Sequence, residues 1–124
     1  MVLRWPPPHY ILFEPLDDKI TLALWDTYKQ THMDCEYSML DAAITHSVEE
    51  FSPWVENWMS TLPSKRVAYK VLLILHSEFL TFSCQQVLRR LLEIRAYRCR
   101  IWFHVEDPTH IQPAIISRCI VKIV

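Results

Sequence analysis

The clearest strand pattern in the chain is the apolar run AYKVLLIL at residues 68–75. A nearly continuous apolar run of this length is typical of a strand in a parallel sheet that helices cover on both faces. Shorter apolar runs predict further strands at residues 9–15 (HYILFEP), 100–105 (RIWFHV) and 119–124 (CIVKIV). Strands are therefore expected from one end of the chain to the other.

Helical periodicity lies between these runs. The segment DDKITLALWDTYKQ at residues 17–30 repeats apolar residues at helical spacing after two aspartates, which favour a helix N-terminus. SCQQVLRRLLEIRAY at residues 83–97 combines an apolar stripe with a basic face. A short helix is expected in QPAIISR at residues 112–118. The alternation predicts a three-layer α/β domain with a mostly parallel sheet, formed by residues 1–124 as one unit.

The pattern between residues 31 and 51 is mixed, and we predict one short helix there, near residues 39–44. Ser52 precedes Pro53, an arrangement typical of an N-cap followed by proline at the first helical position. The segment PWVENWMSTL therefore predicts a helix that begins at Pro53 and runs to Pro63.

Composition narrows the class of protein. The 124 residues are 51% hydrophobic and carry a formal net charge of −1, which excludes a whole-domain attraction for nucleic acid or a membrane surface. The longest purely aliphatic run, VLLIL, is far shorter than the ~20 residues that span a bilayer. Four cysteines at irregular intervals favour a reduced, intracellular protein. The chain has no glycine, so its tight turns must use Asn, Asp or Pro or avoid positive φ.

Four segments carry a resemblance to a known family. KVLLILHSEFLT, VLRRLLE, CRIWFHVEDP and IQPAIISRC follow one another in the order and spacing found in AAA+ clamp-loader subunits, namely the replication factor C small subunits and the bacterial delta-prime subunit. The resemblance is strongest over residues 62–124. It implies the RecA-like core of a P-loop NTPase, in a chain that stops where the family continues into a helical lid and a collar.

The family's phosphate loop is degenerate in this chain. Such a domain binds ATP through GxxxxGK[ST], whose backbone N–H groups cradle phosphates at a helix N-terminus. The matching segment reads FEPLDDKITLAL, in which Pro15, Lys19 and Thr21 resemble remnants of the loop and both glycines are missing. Asp17 and Asp18 would repel phosphate. The alternative for Lys19 is a solvated lysine at a helix start.

Two further nucleotide elements of the family are also altered. The resemblance places Leu75 and His76 where the family has the Asp that helps to hold Mg²⁺ and the Glu that orients water. Leucine cannot ligate Mg²⁺, which requires oxygen ligands. Glu106 stands where the family has a polar residue that senses the γ-phosphate. The sequence therefore predicts a protein without ATPase activity and without a cofactor.

One functional motif of the family is intact. In Ser-Arg-Cys the family's arginine reaches across a subunit interface as an arginine finger toward a neighbour's ATP. Arg118, between Ser117 and Cys119, matches that residue. The resemblance therefore implies a finger that acts in trans, and the alternative is an exposed or salt-bridged arginine.

The remaining candidates concern DNA and metals. Arg89, Arg90 and Arg95, followed by Arg98 and Arg100, are candidates for a DNA-facing surface, because phosphate contacts need only positive charge. The alternative is an ordinary solvated helix face.

His32 and Cys35 have metal-like local spacing, and His76, His104 and His110 fall near the expected catalytic edge. No second Cys/His pair completes a zinc motif, so no metal site is predicted. Cys84, Cys99 and Cys119 are expected to be buried small apolar residues, with a cysteine nucleophile as the alternative.

These inferences leave three functional hypotheses. The first is an ATPase-inactive, clamp-loader-like subunit at a replication site in the nucleus or cytoplasm, which partners other AAA+ subunits or a replication protein and has no membrane partner. The second is an interaction adaptor that keeps the fold and has no role in clamp loading. The third is an enzyme with an unorthodox nucleotide site that uses Lys19 and His76.

Overall fold

All strand pairings in the described chain are parallel. The computed structural model describes residues 2–45, 47–61, 66–94 and 97–124. Its strands are β1 (Tyr10–Phe13), β2 (Cys35–Asp41), β3 (Tyr69–Leu75), β4 (Cys99–Val105) and β5 (Ile120–Ile123), and its helices are α1 (Lys19–Thr31), α2 (Val48–Ser60), α3 (Phe82–Ile94) and α4 (Pro113–Ile116). The five strands form one sheet in the order β2-β3-β4-β1-β5.

Helices cover both faces of the sheet. On one face, Trp25 of α1 packs edge-on against Trp102 of β4, with ring centroids 5.3 Å apart. On the other face, α2 and α3 bury side chains such as Phe51 and Leu88 against the sheet. Alternate residues of β3 belong to the two cores, which explains why this strand is apolar throughout. The predicted three-layer α/β fold is confirmed.

The helices α1, α3 and α4 lie where the helical periodicity of the sequence predicts them. α1, α3 and α4 overlap the three predicted segments, and their bounds differ by only a few residues. The longest described helices have 13 residues. None of the helices in the described part of the chain is long and apolar enough to cross a membrane.

The prediction of a helix near residues 39–44 is wrong. Residues Cys35–Asp41 form β2, which pairs with β3 from Cys35 opposite Tyr69 to Asp41 opposite Leu75. β2 is an edge strand, and most of its residues are only partly buried. Its sequence therefore lacks a continuous apolar run, and pairing with β3 determines its conformation.

The predicted start of α2 is also wrong. The helix begins at Val48, and Pro53 lies inside it. Burial of Phe51 against the core favours a helix that extends before the proline. Pro53 lies on the exposed side, where water can bond the carbonyl that loses its helical partner. The helix ends at Ser60, and Pro63 lies outside the described residues.

The absence of glycine does not prevent left-handed backbone conformations. Leu16, His76 and Arg98 have φ angles of 85°, 54° and 60°. A residue with a Cβ atom is destabilised there by roughly 1–2 kcal/mol. The expectation that tight turns would use only Asn, Asp or Pro or avoid positive φ is therefore wrong at these three positions.

Candidate functional site at the carboxyl edge of the sheet

The carboxyl ends of the three central strands meet at one edge of the sheet. Glu14 follows β1, His76 follows β3 and Glu106 follows β4. In open parallel sheets, ligands bind outside the carboxyl ends of the strands, where neighbouring connections diverge to opposite faces. This edge is therefore the candidate functional site.

The N-terminus of α1 is occupied by a carboxylate of the chain itself. Glu14 is 3% exposed, and its Oε2 accepts a hydrogen bond of 2.9 Å from the backbone nitrogen of Ile20. Its Oε1 accepts hydrogen bonds from the backbone nitrogen of Thr21 at 2.7 Å and from the Thr21 hydroxyl at 2.8 Å. A phosphate loop offers the same kinds of donor to a nucleotide. Glu14 therefore takes the place that an external anion would need.

Sequence reasoning named Thr21 and missed Glu14. The signal that identifies Glu14 is an acidic residue directly after a buried strand, in a loop expected to cradle phosphate. The other two predicted remnants of the loop, Pro15 and Lys19, are exposed. The backbone nitrogen of Lys19 donates to Asp17 Oδ1 at 3.1 Å, and this hydrogen bond lowers the pKa of Asp17.

Two histidines connect the loop before α1 to the ends of β3 and β4. His104 is fully buried, and its Nδ1 accepts a 3.0 Å hydrogen bond from the backbone nitrogen of His76. Because Nδ1 is an acceptor, Nε2 carries the proton of the neutral ring and donates to the carbonyl of Asp17 at 3.0 Å. His76 Nε2 lies 3.1 Å from Asp18 Oδ2. The loop between β1 and α1 is thus held by side chains of this chain.

Leu75 and His76 have different environments. The resemblance places them where the family has its metal-binding and water-orienting acids. Leu75 is 7% exposed and belongs to the core beneath α1, so it contributes only packing. His76 is half-buried, and its Nδ1 lies 4.0 Å from Glu106 Oε1. The backbone nitrogen of Glu106 donates to Glu78 Oε1 at 2.8 Å. Glu78 was not identified from the sequence.

Arg118 lies at the opposite edge of the sheet. It precedes the amino end of β5, whereas Glu14 and His76 follow the carboxyl ends of their strands. Its Nη2 lies 2.7 Å from Glu93 Oε1 on α3, and its Nη1 donates to the Ala114 carbonyl at 2.6 Å. The side chain of Arg118 is therefore paired within the chain and lies away from the candidate site, and an action on a neighbour stays a prediction.

The two flanking residues of this motif have structural contacts. The Ser117 hydroxyl donates to the Ala114 carbonyl at 3.0 Å. Cys119 packs against the core, and burial raises the pKa of its thiol to about 12. Burial also raises the pKa of Cys35 and Cys99. These raised values do not favour the alternative of a cysteine nucleophile.

The described arginines of the predicted DNA-facing surface contact carboxylates or backbone carbonyls of the chain. Arg89 Nε lies 3.6 Å from Glu93 Oε1, and Arg90 Nη2 lies 3.1 Å from Glu56 Oε1. Arg95 lies outside the described residues. Arg98 and Arg100 donate to the backbone carbonyls of Ala68 and Pro7 at 3.0 and 2.9 Å. A DNA-facing role for these arginines remains a prediction.

Comparison with known proteins extends the fold assignment. No protein-family model matches this chain, and no curated protein matches it in sequence. Its fold is similar to that of a DNA polymerase III gamma subunit-related protein from Thermotoga maritima, with a TM-score of 0.71 and 14% identity over 94% of this chain and 41% of that one. It is also similar to the RuvB Holliday junction branch migration motor of that organism, with a TM-score of 0.64 and 15% identity over 94% of this chain and 37% of RuvB.

The comparisons agree with the predicted fold class. The chain has the α/β fold of AAA+ P-loop NTPases, with a five-stranded parallel sheet. It spans about two fifths of the length of these two structures.

Proposed function

We propose that this chain is an ATPase-inactive, clamp-loader-like AAA+ subunit that packs against an active AAA+ ATPase in DNA replication or repair. The observation that carries the proposal is the Glu14 carboxylate at the N-terminus of α1, bonded to the backbone and side chain of Thr21. In this role the chain works at a replication site in the nucleus or cytoplasm. Its partners are other AAA+ subunits or a replication protein.

The occupied helix N-terminus supports the absence of ATP binding. A nucleotide phosphate would have to displace Glu14 from three hydrogen bonds and would otherwise lie beside a buried like charge. Leu75 supplies no oxygen for Mg²⁺, so the metal that normally accompanies ATP would lose a ligand. Both features disfavour binding as well as hydrolysis.

The position of Arg118 supports action in trans. The guanidinium pairs with Glu93 at 2.7 Å, and the two side chains are 36% and 40% exposed. Ion pairs at such exposed positions contribute about 0–1 kcal/mol to stability. A neighbour's ATP carries more negative charge than one carboxylate, so it can compete for this guanidinium at little cost.

Exposed apolar side chains at the carboxyl edge support packing against another protein. Leu16, Phe79 and Phe82 are 94%, 55% and 68% exposed. They follow β1, follow β3 and begin α3, respectively, so the topology places all three at this edge. Aromatic residues are enriched in the cores of protein interfaces.

The nucleotide part of the proposal is tested by thermal unfolding with and without ATP and Mg²⁺. The melting temperature is expected to stay unchanged even at millimolar nucleotide. A ligand present at about 100 times its Kd would stabilise the fold by roughly 2.7 kcal/mol, which is readily measured. Such a stabilisation, or ATP turnover above that of a Glu14→Lys control, would overturn the proposal.

The finger is tested by mixing the chain with candidate clamp-loader ATPases and measuring their turnover. Arg118→Ala is expected to abolish stimulation while binding persists, because an arginine finger contributes about 10³- to 10⁵-fold to kcat. Glu93→Gln releases Arg118 from its partner in the chain and is expected to raise stimulation. Arg90→Ala removes another exposed, paired arginine and serves as the control.

The second candidate is an interaction adaptor without a role in clamp loading. It is favoured by the contacts of Arg118, whose guanidinium already bonds Glu93 and the Ala114 carbonyl. The adaptor predicts that Arg118→Ala changes no ATPase activity and that substitution of the exposed apolar residues abolishes binding. Leu16→Ser combined with Phe79→Ser is the appropriate variant, with the fold checked by circular dichroism.

A further inference from the structure

Three potential metal ligands converge beside the occupied loop. His76 follows β3, Glu78 lies in the 3-10 turn Ser77–Phe79, and Glu106 follows β4. One ligand atom from each of them lies within 4.8 Å of the ligand atoms of the other two. All three side chains are half-buried. Two strand ends and one turn therefore place an imidazole and two carboxylates around a common point.

One oxygen in this cluster lacks a donor. Glu78 Oε1 accepts from the backbone nitrogen of Glu106 at 2.8 Å. Glu78 Oε2 is buried from solvent and has no hydrogen-bond partner within the described part of the chain. A buried carboxylate oxygen is normally satisfied by a donor or a cation, because the unpaired charge is costly. The Glu78 carboxylate lies in a cluster with an imidazole and a second carboxylate, so its unpaired oxygen points to a cation.

The orientation of His76 supports the same conclusion. Its Nε2 lies 3.1 Å from Asp18 Oδ2, and since a carboxylate accepts hydrogen bonds, Nε2 is the nitrogen that donates. Nδ1 lies on the other side of the ring, 4.0 Å from Glu106 Oε1, where it can bind an ion in place of a proton. A histidine that binds a metal through one nitrogen commonly donates its other N–H to a carboxylate. Asp18 would be that second partner.

We propose that His76, Glu78 and Glu106 bind a divalent transition-metal ion of the Zn²⁺ class, with Asp18 orienting His76. Two ligands about 2.0–2.1 Å from one tetrahedral ion lie roughly 3.3 Å apart, so the 4.0 Å between His76 Nδ1 and Glu106 Oε1 requires a closure below 1 Å. The imidazole favours Zn²⁺ over Mg²⁺, which prefers an all-oxygen set.

This site is independent of the proposed function. It needs no phosphate and differs from the sequence prediction that no metal site exists. Three protein ligands leave the fourth tetrahedral position open to water. The ion would also offset the combined negative charge of Asp18, Glu78 and Glu106, and it would tie the end of β3 to the end of β4.

To test this, the untagged, reduced chain is titrated with ZnCl₂ in a calorimeter. Its thermal unfolding is then measured with and without the ion. The wild type is expected to bind one ion per chain and to melt at a higher temperature with the ion. Glu78→Gln and Glu106→Gln should each reduce the affinity at least ~10-fold, and Asp18→Asn should reduce it about 10- to 100-fold. In Glu78→Gln the side-chain amide oxygen can still accept a hydrogen bond from the Glu106 N–H, so folding is expected to persist.

Two controls separate this site from adventitious binding. His110→Gln removes an exposed histidine that lies 3.4 Å from Asp107, and Glu49→Gln removes an exposed carboxylate on α2; both should bind zinc as the wild type does. Excess MgCl₂ should not displace the ion. If zinc does not bind, or if Glu78→Gln and Glu106→Gln bind it unchanged, then the cluster is not a metal site. Binding through cysteine thiols would give this second result.

Discussion

Glu14 Oε1 accepts hydrogen bonds from both the backbone nitrogen and the hydroxyl of Thr21, at 2.7 and 2.8 Å. The residue that follows β1 thus occupies the N-terminus of α1, seven positions before Thr21 in the chain. A buried carboxylate is stable there because the helix dipole and the unpaired N–H groups of the first turn both favour a negative charge. The contact joins the end of β1 to the start of α1. It also fills the position that an external anion would need.

Removing this carboxylate should destabilise the fold. In Glu14→Ala, the backbone nitrogen and the hydroxyl of Thr21 lose their acceptor in a buried place, whereas the backbone nitrogen of Ile20 is partly exposed and can bond water. A hydrogen bond to a charged group contributes about 1.5–3 kcal/mol, so the loss of the two buried bonds should lower the free energy of unfolding by at least roughly 3 kcal/mol. Urea denaturation measures the change.

The matched control for this variant is Glu49→Ala. Glu49 also lies in the first turn of a helix, but it is exposed. Its replacement should change the free energy of unfolding by no more than about 0.5 kcal/mol. Equal effects of the two substitutions would mean that Glu14 contributes only a helix-dipole interaction and that water replaces its hydrogen bonds.

Lys70 should be required at the C-terminus of α2. It is 3% exposed, its Nζ donates to the carbonyls of Trp58 and Thr61, the latter at 2.9 Å, and it lies 4.8 Å from the centre of the Trp58 ring. Lys70→Met keeps most of the side-chain volume and leaves the terminal carbonyls without this donor. We expect a loss of about 2 kcal/mol in the free energy of unfolding. Lys122→Met, on the exposed side of β5, should have almost no effect.

Stability should fall on acidification because of His9. Burial lowers the pKa of His9 to about 4, with a smaller contribution from the charge of Arg100. The folded chain needs the neutral ring, since His9 Nδ1 accepts from the backbone nitrogen of Ile101 at 3.1 Å. The unfolded chain takes up this proton near pH 6.5, whereas the folded chain takes it up only near pH 4. The free energy of unfolding should therefore fall as the pH falls from about 6.5 to about 4.

Through this one histidine, the free energy of unfolding should change by at most about 1.4 kcal/mol per pH unit. Urea denaturation at several pH values measures it in the wild type and in His9→Gln, which cannot titrate. The variant should have a shallower slope between pH ~6.5 and ~4. His110→Gln, which alters an exposed histidine, should keep the wild-type slope. A wild-type slope in His9→Gln would assign the acid sensitivity to other groups.

The sequence predicted β3, β4 and α3 well because their burial is visible in one dimension. A strand covered on both faces must be apolar throughout, and a helix on the sheet must be apolar at helical spacing. The same reasoning failed for β2, where an edge strand buries too little to leave a pattern. The sequence also named His76, Glu106 and Arg118 as candidates from their places in a resemblance.

Only the tertiary structure decided what these residues contact. Three contacts depend on how strands and helices from distant segments are brought together. They join Glu14 to the start of α1, Glu78 to Glu106, and Glu93 to Arg118. The spacing of a charged side chain along the sequence does not reveal its partner, because the register of the sheet and the packing of the helices set these contacts. Local patterns determined most of the architecture of this protein, and long-range packing determined the edge strand β2 and which carboxylates are buried, paired or left without a donor.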